Sequence, residues 1–308
     1  MRRLCRAAGL FAAGMLVVPA GAHAQSRGVY PLGMTAVGSG VTPDPGFTYA
    51  NQLLFYSRDQ SKTDDGSTLP ASGQNAVIMD MNSFVWVSRR TFLGGARYSA
   101  VATLPVAKNQ LVSDIHGQLS GGGGFADSYY LPLILGWNTG RASIRALAGF
   151  LAPTGRFAEG ASDNVGSGYW TPTLSSGQTV PLTRDNSVTF SAFQLYEWHT
   201  PQHGTGTKPG DTLDLDYSLI RTFAFATSQT RLQVGIAGYE QRQTTAKTGP
   251  AVTADQSRER YAVNALGFVT NLVFPKHRFN AGVRFFEEFG NRAAYQGYSV
   301  QVSGAVSF

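Results

Sequence analysis

Two histidines, His199 and His203, have the spacing of metal ligands on a helix. Residues four apart lie on one helical face, where a pair of imidazoles can bind zinc. Pro201 lies between them, and Gly204 and Gly206 follow. These residues predict a loop instead of a helix. The sequence therefore predicts no metal site and no other cofactor.

Hydrolytic chemistry would need a serine held against a histidine that an acid orients. The histidines after residue 24 are His116, His199, His203 and His277, and no short motif around them supplies that arrangement. Ser120 precedes the run 121–124 of four glycines, but the Lys and Ser/Thr of a phosphate-binding loop are missing, so the run predicts a flexible external loop. The chain is predicted not to be an enzyme.

Charged residues occupy one side of segments that alternate between apolar and polar positions. In 211–225, Asp214 and Asp216 share a face opposite Leu213 and Tyr217. The same alternation, together with their places in neighbouring segments, gives five further candidates: Arg97, Arg145, Arg231, Arg284 and Glu288. We interpret most of these charges as pairing with one another. The alternative is that unpaired arginines attract carboxylate or phenolate solutes along a substrate path.

Twelve segments with a period of two residues account for the positioning of these charges. They lie near 47–56, 76–88, 92–104, 126–138, 141–151, 167–175, 187–198, 211–225, 229–240, 260–273, 277–288 and 297–308. Strands of roughly 9–11 residues with one apolar face can cross a bilayer. A charge facing lipid costs roughly 2–4 kcal/mol, so the polar faces should line the lumen. The prediction is an all-β fold: a closed, antiparallel transmembrane barrel of about 12 strands.

The connections between these segments differ in length. Short periplasmic turns are predicted at 89–91, 138–141, 226–228 and 275–276. Longer external loops are predicted at 57–75, 105–125, 152–166, 199–210, 241–259 and 289–296, with a medium join at 176–186.

The first 24 residues have the pattern of a Sec signal peptide. Arg2, Arg3 and Arg6 precede an apolar run from 7 to 18, and Ala22-His23-Ala24 predicts cleavage near Ala24/Gln25. The single cysteine, Cys5, lies within this segment, so the mature chain is predicted to have no disulfide. Cleavage also removes three arginines, and the small remaining positive charge implies no nucleic-acid partner.

Residues 25–46 form a Gly/Pro-rich N-terminal segment that is too interrupted to be a strand. A loose terminal tail is the default for such a segment, and a plug inside the lumen is the alternative. Residues 47–308 are predicted to form the barrel.

The alternation in 297–308 ends on the aromatic Phe308. It resembles the closing strand of a bacterial outer-membrane β-barrel, in which the terminal aromatic residue is an assembly signal. The resemblance implies location in the outer membrane of a Gram-negative bacterium. It also implies contact with the barrel-assembly machinery, outer-membrane lipid and lipopolysaccharide.

Short motifs along nearly the whole mature chain occur in a recognisable order. The positions that carry them are Gly33, Pro45, Gly46, Gly94, Gly95, Asp127, Pro153, Gly155, Asn164, Gly210 and Gly238. Their order resembles the outer-membrane transporter family linked to the meta-cleavage pathway of phenol degradation. One departure is Ala126, where the family has glycine, and it puts a turn or close backbone approach at Asp127 in question.

This resemblance implies a channel or transporter for passive uptake of small hydrophobic or aromatic compounds. Twelve strands are fewer than open porins have, so a narrow, gated or plugged pore is expected. Two alternatives remain: a structural or surface-interaction barrel with a closed lumen, and an outer-membrane lipid hydrolase.

Overall fold

A computed structural model describes residues 28–70, 73–114, 117–225 and 229–308. Within these ranges the chain forms an antiparallel sheet of 13 strands. The strands are β1 (Gly46–Lys62), β2 (Gln74–Phe92), β3 (Ala96–Ser113), β4 (Gly117–Phe125), β5 (Ser128–Asn138), β6 (Ser143–Ala152), β7 (Thr171–Pro181), β8 (Val188–Glu197), β9 (Thr212–Ala224), β10 (Arg231–Gln243), β11 (Ala262–Phe274), β12 (Phe279–Glu288) and β13 (Ala294–Ser307).

The sheet closes on itself as a barrel. β1 pairs with both β2 and β13, and for example Leu53 lies opposite Val302 across the closing seam. β3 pairs with β2 on one side and with two successive strands on the other: its residues 106–113 face β4 and its residues 97–103 face β5. β4 and β5 therefore share one position in the ring. The result is a 12-stranded barrel with one extra strand, which confirms the predicted fold.

The extra strand corrects the prediction of a long loop at 105–125. β3 extends to Ser113, and the four glycines 121–124 belong to β4. A Cβ at Gly122 would lie 2.1 Å from the carbonyl oxygen of Asp163, so glycine is needed there to let another part of the backbone approach. Gly122 reflects close packing, and the run 121–124 was wrongly interpreted as a flexible loop.

The sixth predicted strand, 167–175, is also displaced. β7 begins at Thr171 and continues to Pro181, so it includes Ser176 and Gly177, which the prediction placed in the join 176–186. A Cβ at Gly177 would lie 2.2 Å from the carbonyl oxygen of Ser39. The glycine makes room for the N-terminal segment, a contact that local sequence does not reveal.

The two ends of the barrel differ in their connections. At the end that carries Gly46 and Phe308, which we call the short-turn end, the joins include 139–142, 182–187 and 275–278. The turn predicted at 89–91 lies instead inside β2, and the chain reverses at Leu93–Gly95, where Gly94 and Gly95 have φ of 69° and 85°. The predicted turn at 226–228 lies outside the described residues.

Longer connections cover the opposite, long-loop end. They include 153–170, 198–211 and 244–261, the last of which contains a short helix, α1 (Ala254–Arg258), capped by Thr253. The predicted loop 57–75 is shorter than expected because β1 continues to Lys62 and β2 begins at Gln74.

The outer surface of the barrel carries an apolar band. Exposed members include Phe84, Trp86, Leu219, Ile236, Phe268, Val283 and Val302. In β9, Asp214, Asp216 and Ser218 are buried on the inner face, while Leu213 and Leu219 are exposed. Within the described part of the chain, no helix has the length and apolar character needed to span a membrane.

Candidate functional site

Residues 28–40, which we call the lumen segment, cross the interior of the barrel. The Gly28 N–H donates to the hydroxyl of Tyr261 (2.5 Å) near the long-loop end. The Gly40 N–H donates to Thr179 Oγ1 (3.0 Å) near the short-turn end. Tyr30, Leu32 and Ala36 are buried in the main hydrophobic cluster. These residues therefore lie inside the barrel and contact its wall, and a plugging role for them stays a prediction.

Buried side chains of the barrel bind backbone N–H groups of the lumen segment at Val29, Tyr30 and Gly33. Both oxygens of Glu197 accept backbone N–H groups, from Val29 at 3.1 Å and Tyr30 at 2.8 Å. Asp216 accepts the N–H of Gly33 (2.8 Å) and the hydroxyl of Tyr30 (2.7 Å). Buried carboxylates thus satisfy the N–H groups of Val29, Tyr30 and Gly33, which have no partners within a strand or helix.

The carbonyl groups of the same segment are bound in turn. Arg284 Nη1 donates to the carbonyls of Gly33 (3.2 Å) and Met34 (2.8 Å). Arg145 Nε donates to the carbonyl of Ser39 (2.6 Å). Gly33 therefore lies between a carboxylate that binds its N–H and a guanidinium that binds its carbonyl. Its φ of +79° and its closeness to Phe286, 2.7 Å from an added Cβ, require glycine.

A cavity of about 380 Å³ lies inside the barrel beside the lumen segment. The segment hydrogen-bonds to β6–β9, β12 and β13. Most of the strand residues that line the cavity belong to β1, β2 and β3. Its apolar lining includes Met34, Met79, Met81, Leu111, Tyr129 and Leu151. A smaller cavity of about 170 Å³ adjoins it and shares Arg58 and Met79. The volume of the larger cavity falls in the range of small-molecule sites, roughly 300–1,000 Å³.

Methionines are concentrated at this cavity. Met34, Met79 and Met81 are the only methionines after residue 24, and all three line it. Met34 belongs to the lumen segment, whereas Met79 and Met81 belong to β2. The flexible thioether adapts to irregular shapes and contacts aromatic rings favourably. The cavity is thus lined by the same soft side chain on the lumen segment and on the wall.

Arg58 and Asp127 are the charged side chains among the described residues that line the larger cavity. Arg58 donates to Glu288 through Nε (2.9 Å) and Nη2 (2.7 Å), and its guanidinium carbon lies 4.0 Å from the centre of the Tyr56 ring. Both members of the pair are buried. The positive charge beside the cavity is therefore compensated within the barrel.

Asp127 lies at the break between β4 and β5 and joins family motifs that are separate in sequence. Its two oxygens accept the N–H groups of Gly155 (3.0 Å) and Ser167 (2.7 Å). A Cβ on Gly155 would lie 2.7 Å from the Cα of Gly166. The close approach at Asp127 is therefore present even though Ala126 replaces the family's glycine. These contacts form one wall of the cavity.

Other motif positions have roles in turns and packing. Asn164 closes the loop after β6 by exchanging hydrogen bonds with the backbone of Ala158 (2.8 Å each). An added Cβ would lie 2.2 Å from Gln243 at Gly210 and 2.6 Å from Tyr217 at Gly238. Pro45 precedes Gly46 at the start of β1, and Pro153 follows β6.

The seven charged candidates have different surroundings. Arg145, Arg284 and Asp216 bind the lumen segment, and Glu288 binds Arg58. Asp214 is buried and accepts a hydrogen bond from Gln241 (2.6 Å). Arg97 faces the interior with its Nε unpartnered, and Arg231 is exposed at the start of β10. Their role in a substrate path stays a prediction.

Sequence reasoning singled out Asp127 among the cavity residues but missed Arg58 and the methionines. Arg58 was placed in the predicted loop 57–75, whereas β1 continues to Lys62. The three methionines were not singled out, although their restriction to two short stretches of the mature chain was a usable signal.

The histidine pair is separated in the structure. His199 is buried, with Nδ1 3.0 Å from Thr171 Oγ1, whereas His203 is exposed. Burial lowers the pKa of His199 to about 4. Among the described residues, no group of three or more His, Cys, Asp or Glu is arranged to hold a metal ion.

Phe308 lies at the closing seam. Its N–H donates to the carbonyl of Phe47 (2.9 Å), its ring is 6.1 Å from the Phe47 ring, and its side chain is exposed. The aromatic terminus is thus presented on the outside of the barrel at the short-turn end. Its function in assembly stays a prediction.

Comparison with solved structures shows the same fold. An outer membrane channel from Pseudomonas putida F1 superposes with a TM-score of 0.67 at 11% identity, covering 87% of this chain and 97% of the channel. The β domain of the Bordetella autotransporter BrkA superposes with a TM-score of 0.52 at 12% identity, covering 86% of this chain and all of that domain (100%). The fold therefore resembles outer-membrane β-barrels.

Sequence comparison gives the family. No curated protein matches the chain significantly. The family model described as "Putative MetA-pathway of phenol degradation" matches residues 58–303 of the 308. The match extends from the end of β1 to β13 and includes the cavity residues Arg58, Met79 and Asp127. Because it spans well over half of the chain, this protein belongs to that phenol-degradation family.

Proposed function

We propose that this protein is an outer-membrane channel for passive uptake of small hydrophobic or aromatic compounds. The observation that carries the proposal is the apolar cavity of about 380 Å³ between the lumen segment and β1–β3. Membership of the phenol-degradation family and the channel fold of the Pseudomonas putida relative support the same assignment.

The geometry suits a ring-shaped solute. Met34, Met79 and Met81 approach the cavity from two sides, so an aromatic ring would contact sulfur on both the plug and the wall. Tyr129 adds an aromatic surface, and Leu111 and Leu151 exclude water. In this proposal the long-loop end faces outward, a solute enters there, and the lumen segment gates passage toward the periplasm. Lipopolysaccharide surrounds the outer rim, and the assembly machinery reads Phe308.

The alternative function is a structural barrel with a closed lumen. The observation that favours it is that several barrel strands bind the lumen segment along its length. Glu197 of β8 binds it near the long-loop end, and Thr179 of β7 binds it near the short-turn end. A permanently bound plug would block solute flux. The channel and the closed barrel are therefore distinguished by flux.

The test is entry of phenol, compared with a sugar, into vesicles that contain the purified protein and have lipopolysaccharide in the outer leaflet. We expect phenol entry above the protein-free rate and little sugar entry. Met79→Trp should fill the cavity and abolish the excess phenol entry, whereas Met79→Leu, which preserves volume, should retain it. Equal phenol entry with and without protein would contradict the channel function and favour the closed barrel.

A further inference from the structure

We infer that the cavity selects neutral aromatic molecules over their carboxylate analogues, and that Glu288 sets this selectivity by holding Arg58. The inference rests on the proposed function and deepens it. It argues against the alternative left open by the sequence, in which unpaired lumen arginines attract anionic solutes.

Carboxylates outnumber the cation beside the cavity. Arg58 is the cation that lines it, and its Nε and Nη2 donate to Oε2 (3.1 Å) and Oε1 (2.7 Å) of Glu288. The bidentate geometry is the strongest form of this interaction. Asp127 contributes a second carboxylate. Counting Glu288 with the lining residues, two negative charges stand against one positive charge, so a solute carboxylate meets no uncompensated cation.

The other interior arginines do not line the cavity. Arg284 and Arg145 donate to carbonyls of the lumen segment, so a solute could recruit them only by displacing that segment. Arg97 has an unpartnered Nε, but it too is absent from the cavity lining. Within the described residues, the side chain that could bind an anion in this cavity is therefore Arg58.

Three further donors hold Glu288 in place. It also accepts the Tyr239 hydroxyl (3.1 Å), the Asn291 side-chain amide (3.1 Å) and the Gly297 N–H (3.2 Å). Its side chain is 0% exposed, against 10% for Arg58. These donors hold the carboxylate against Arg58, and Glu288 does not itself line the cavity. An incoming carboxylate would have to compete with a fully coordinated, buried one, and it would also lose its own hydration.

The experiment measures binding of 4-fluorobenzyl alcohol and 4-fluorobenzoate by fluorine NMR, with the protein in lipid nanodiscs and empty nanodiscs as the blank. At about pH 7 we expect the alcohol to bind at least ~10-fold more tightly than the carboxylate. Glu288→Gln keeps an oxygen acceptor but removes the charge, so the preference should fall about 10-fold. Glu287→Gln is the matched control: the neighbouring residue is exposed on the opposite face, and its substitution should leave the preference unchanged.

Two further variants test the role of Arg58 and provide a substitute if Glu288→Gln does not fold. In the double variant Arg58→Gln/Glu288→Gln no cation remains beside the cavity, so the preference for the alcohol should return to the wild-type value. If Glu288→Gln does not fold, Asp127→Asn carries the test, because removing the other carboxylate should also weaken the preference.

The outcomes separate the inference from the function on which it rests. Equal affinity of the wild-type protein for both probes, or an unchanged preference in a folded Glu288→Gln variant, would overturn the charge selectivity and leave the channel standing. If neither the alcohol nor the carboxylate binds, the proposed binding of aromatic compounds is overturned, and the selectivity with it.

Discussion

Substitution of Arg284 by methionine tests whether the lumen segment is a gate. The change removes the hydrogen bonds from Nη1 to the carbonyls of Gly33 (3.2 Å) and Met34 (2.8 Å) and keeps an unbranched apolar side chain. Hydrogen bonds to charged groups contribute roughly 1.5–3 kcal/mol each. Allowing for relaxation and for water replacing one partner, we take a loss of roughly 2–2.8 kcal/mol. At 1.4 kcal/mol per tenfold change, the undocked population should rise roughly 30- to 100-fold.

Chemical labelling measures this population directly. Ala36 lies in the lumen segment and is 0% exposed within the hydrophobic cluster, and the only cysteine in the sequence is Cys5, within the predicted signal peptide. Ala36→Cys in the mature protein therefore gives a single thiol that reacts with a water-soluble maleimide when the segment leaves the barrel wall. We expect the labelling rate to rise roughly 30- to 100-fold when Arg284→Met is added, in step with the undocked population.

Arg231→Met is the control for loss of one positive charge, because Arg231 is exposed at the start of β10. Arg284→Lys should give an intermediate rate, since it retains a donor with a shorter reach. If Arg284→Met and Arg231→Met label equally slowly while both remain folded, the hydrogen bonds of Arg284 do not hold the segment, and the gating argument fails.

Three further predictions concern stability and local structure. Gly40→Ala should undock the end of the lumen segment and increase single-channel conductance, because the added Cβ would lie 1.9 Å from the carbonyl oxygen of Ser143; an unchanged conductance would contradict this. His199, with a pKa of about 4 in the folded protein against about 6.5 when unfolded, stabilises the fold above pH 6.5. That stability is lost as pH falls toward 4, roughly 2 kcal/mol by about pH 5, and urea unfolding should show a smaller pH dependence in His199→Gln. Asp127→Ala should leave the N–H of Gly155 without its acceptor and make the loop after β6 more sensitive to protease, whereas Asp127→Asn should retain part of the protection.

The barrel could be predicted because its signal is local. Apolar and polar residues alternate along each strand, and in β9 the buried Asp214 and Asp216 oppose the exposed Leu213 and Leu219, as predicted. A strand in a barrel has one environment on each face, so neighbouring residues contain most of the information. The order of the family motifs was equally readable without any knowledge of their contacts.

The errors arise where a distant part of the chain determines the residue type. Two strand positions, 122 and 177, require glycine because the backbone at Asp163 and at Ser39 passes close to them. Arg284 was interpreted as a solute-binding or paired charge, but its partners are carbonyls 250 residues or more away in sequence. Glycine and arginine in these positions satisfy long-range contacts that no local pattern encodes.

The location of the methionines has a consequence for oxidative damage. Met34, Met79 and Met81 are the only sulfur-containing residues after residue 24, and all three line the cavity. Oxidation of a thioether to the sulfoxide turns a flexible apolar side chain into a polar, chiral one. A peroxide that enters the barrel would therefore form methionine sulfoxide only at the cavity. The surface that an aromatic ring would contact would become polar, while the strands would keep their hydrogen bonds.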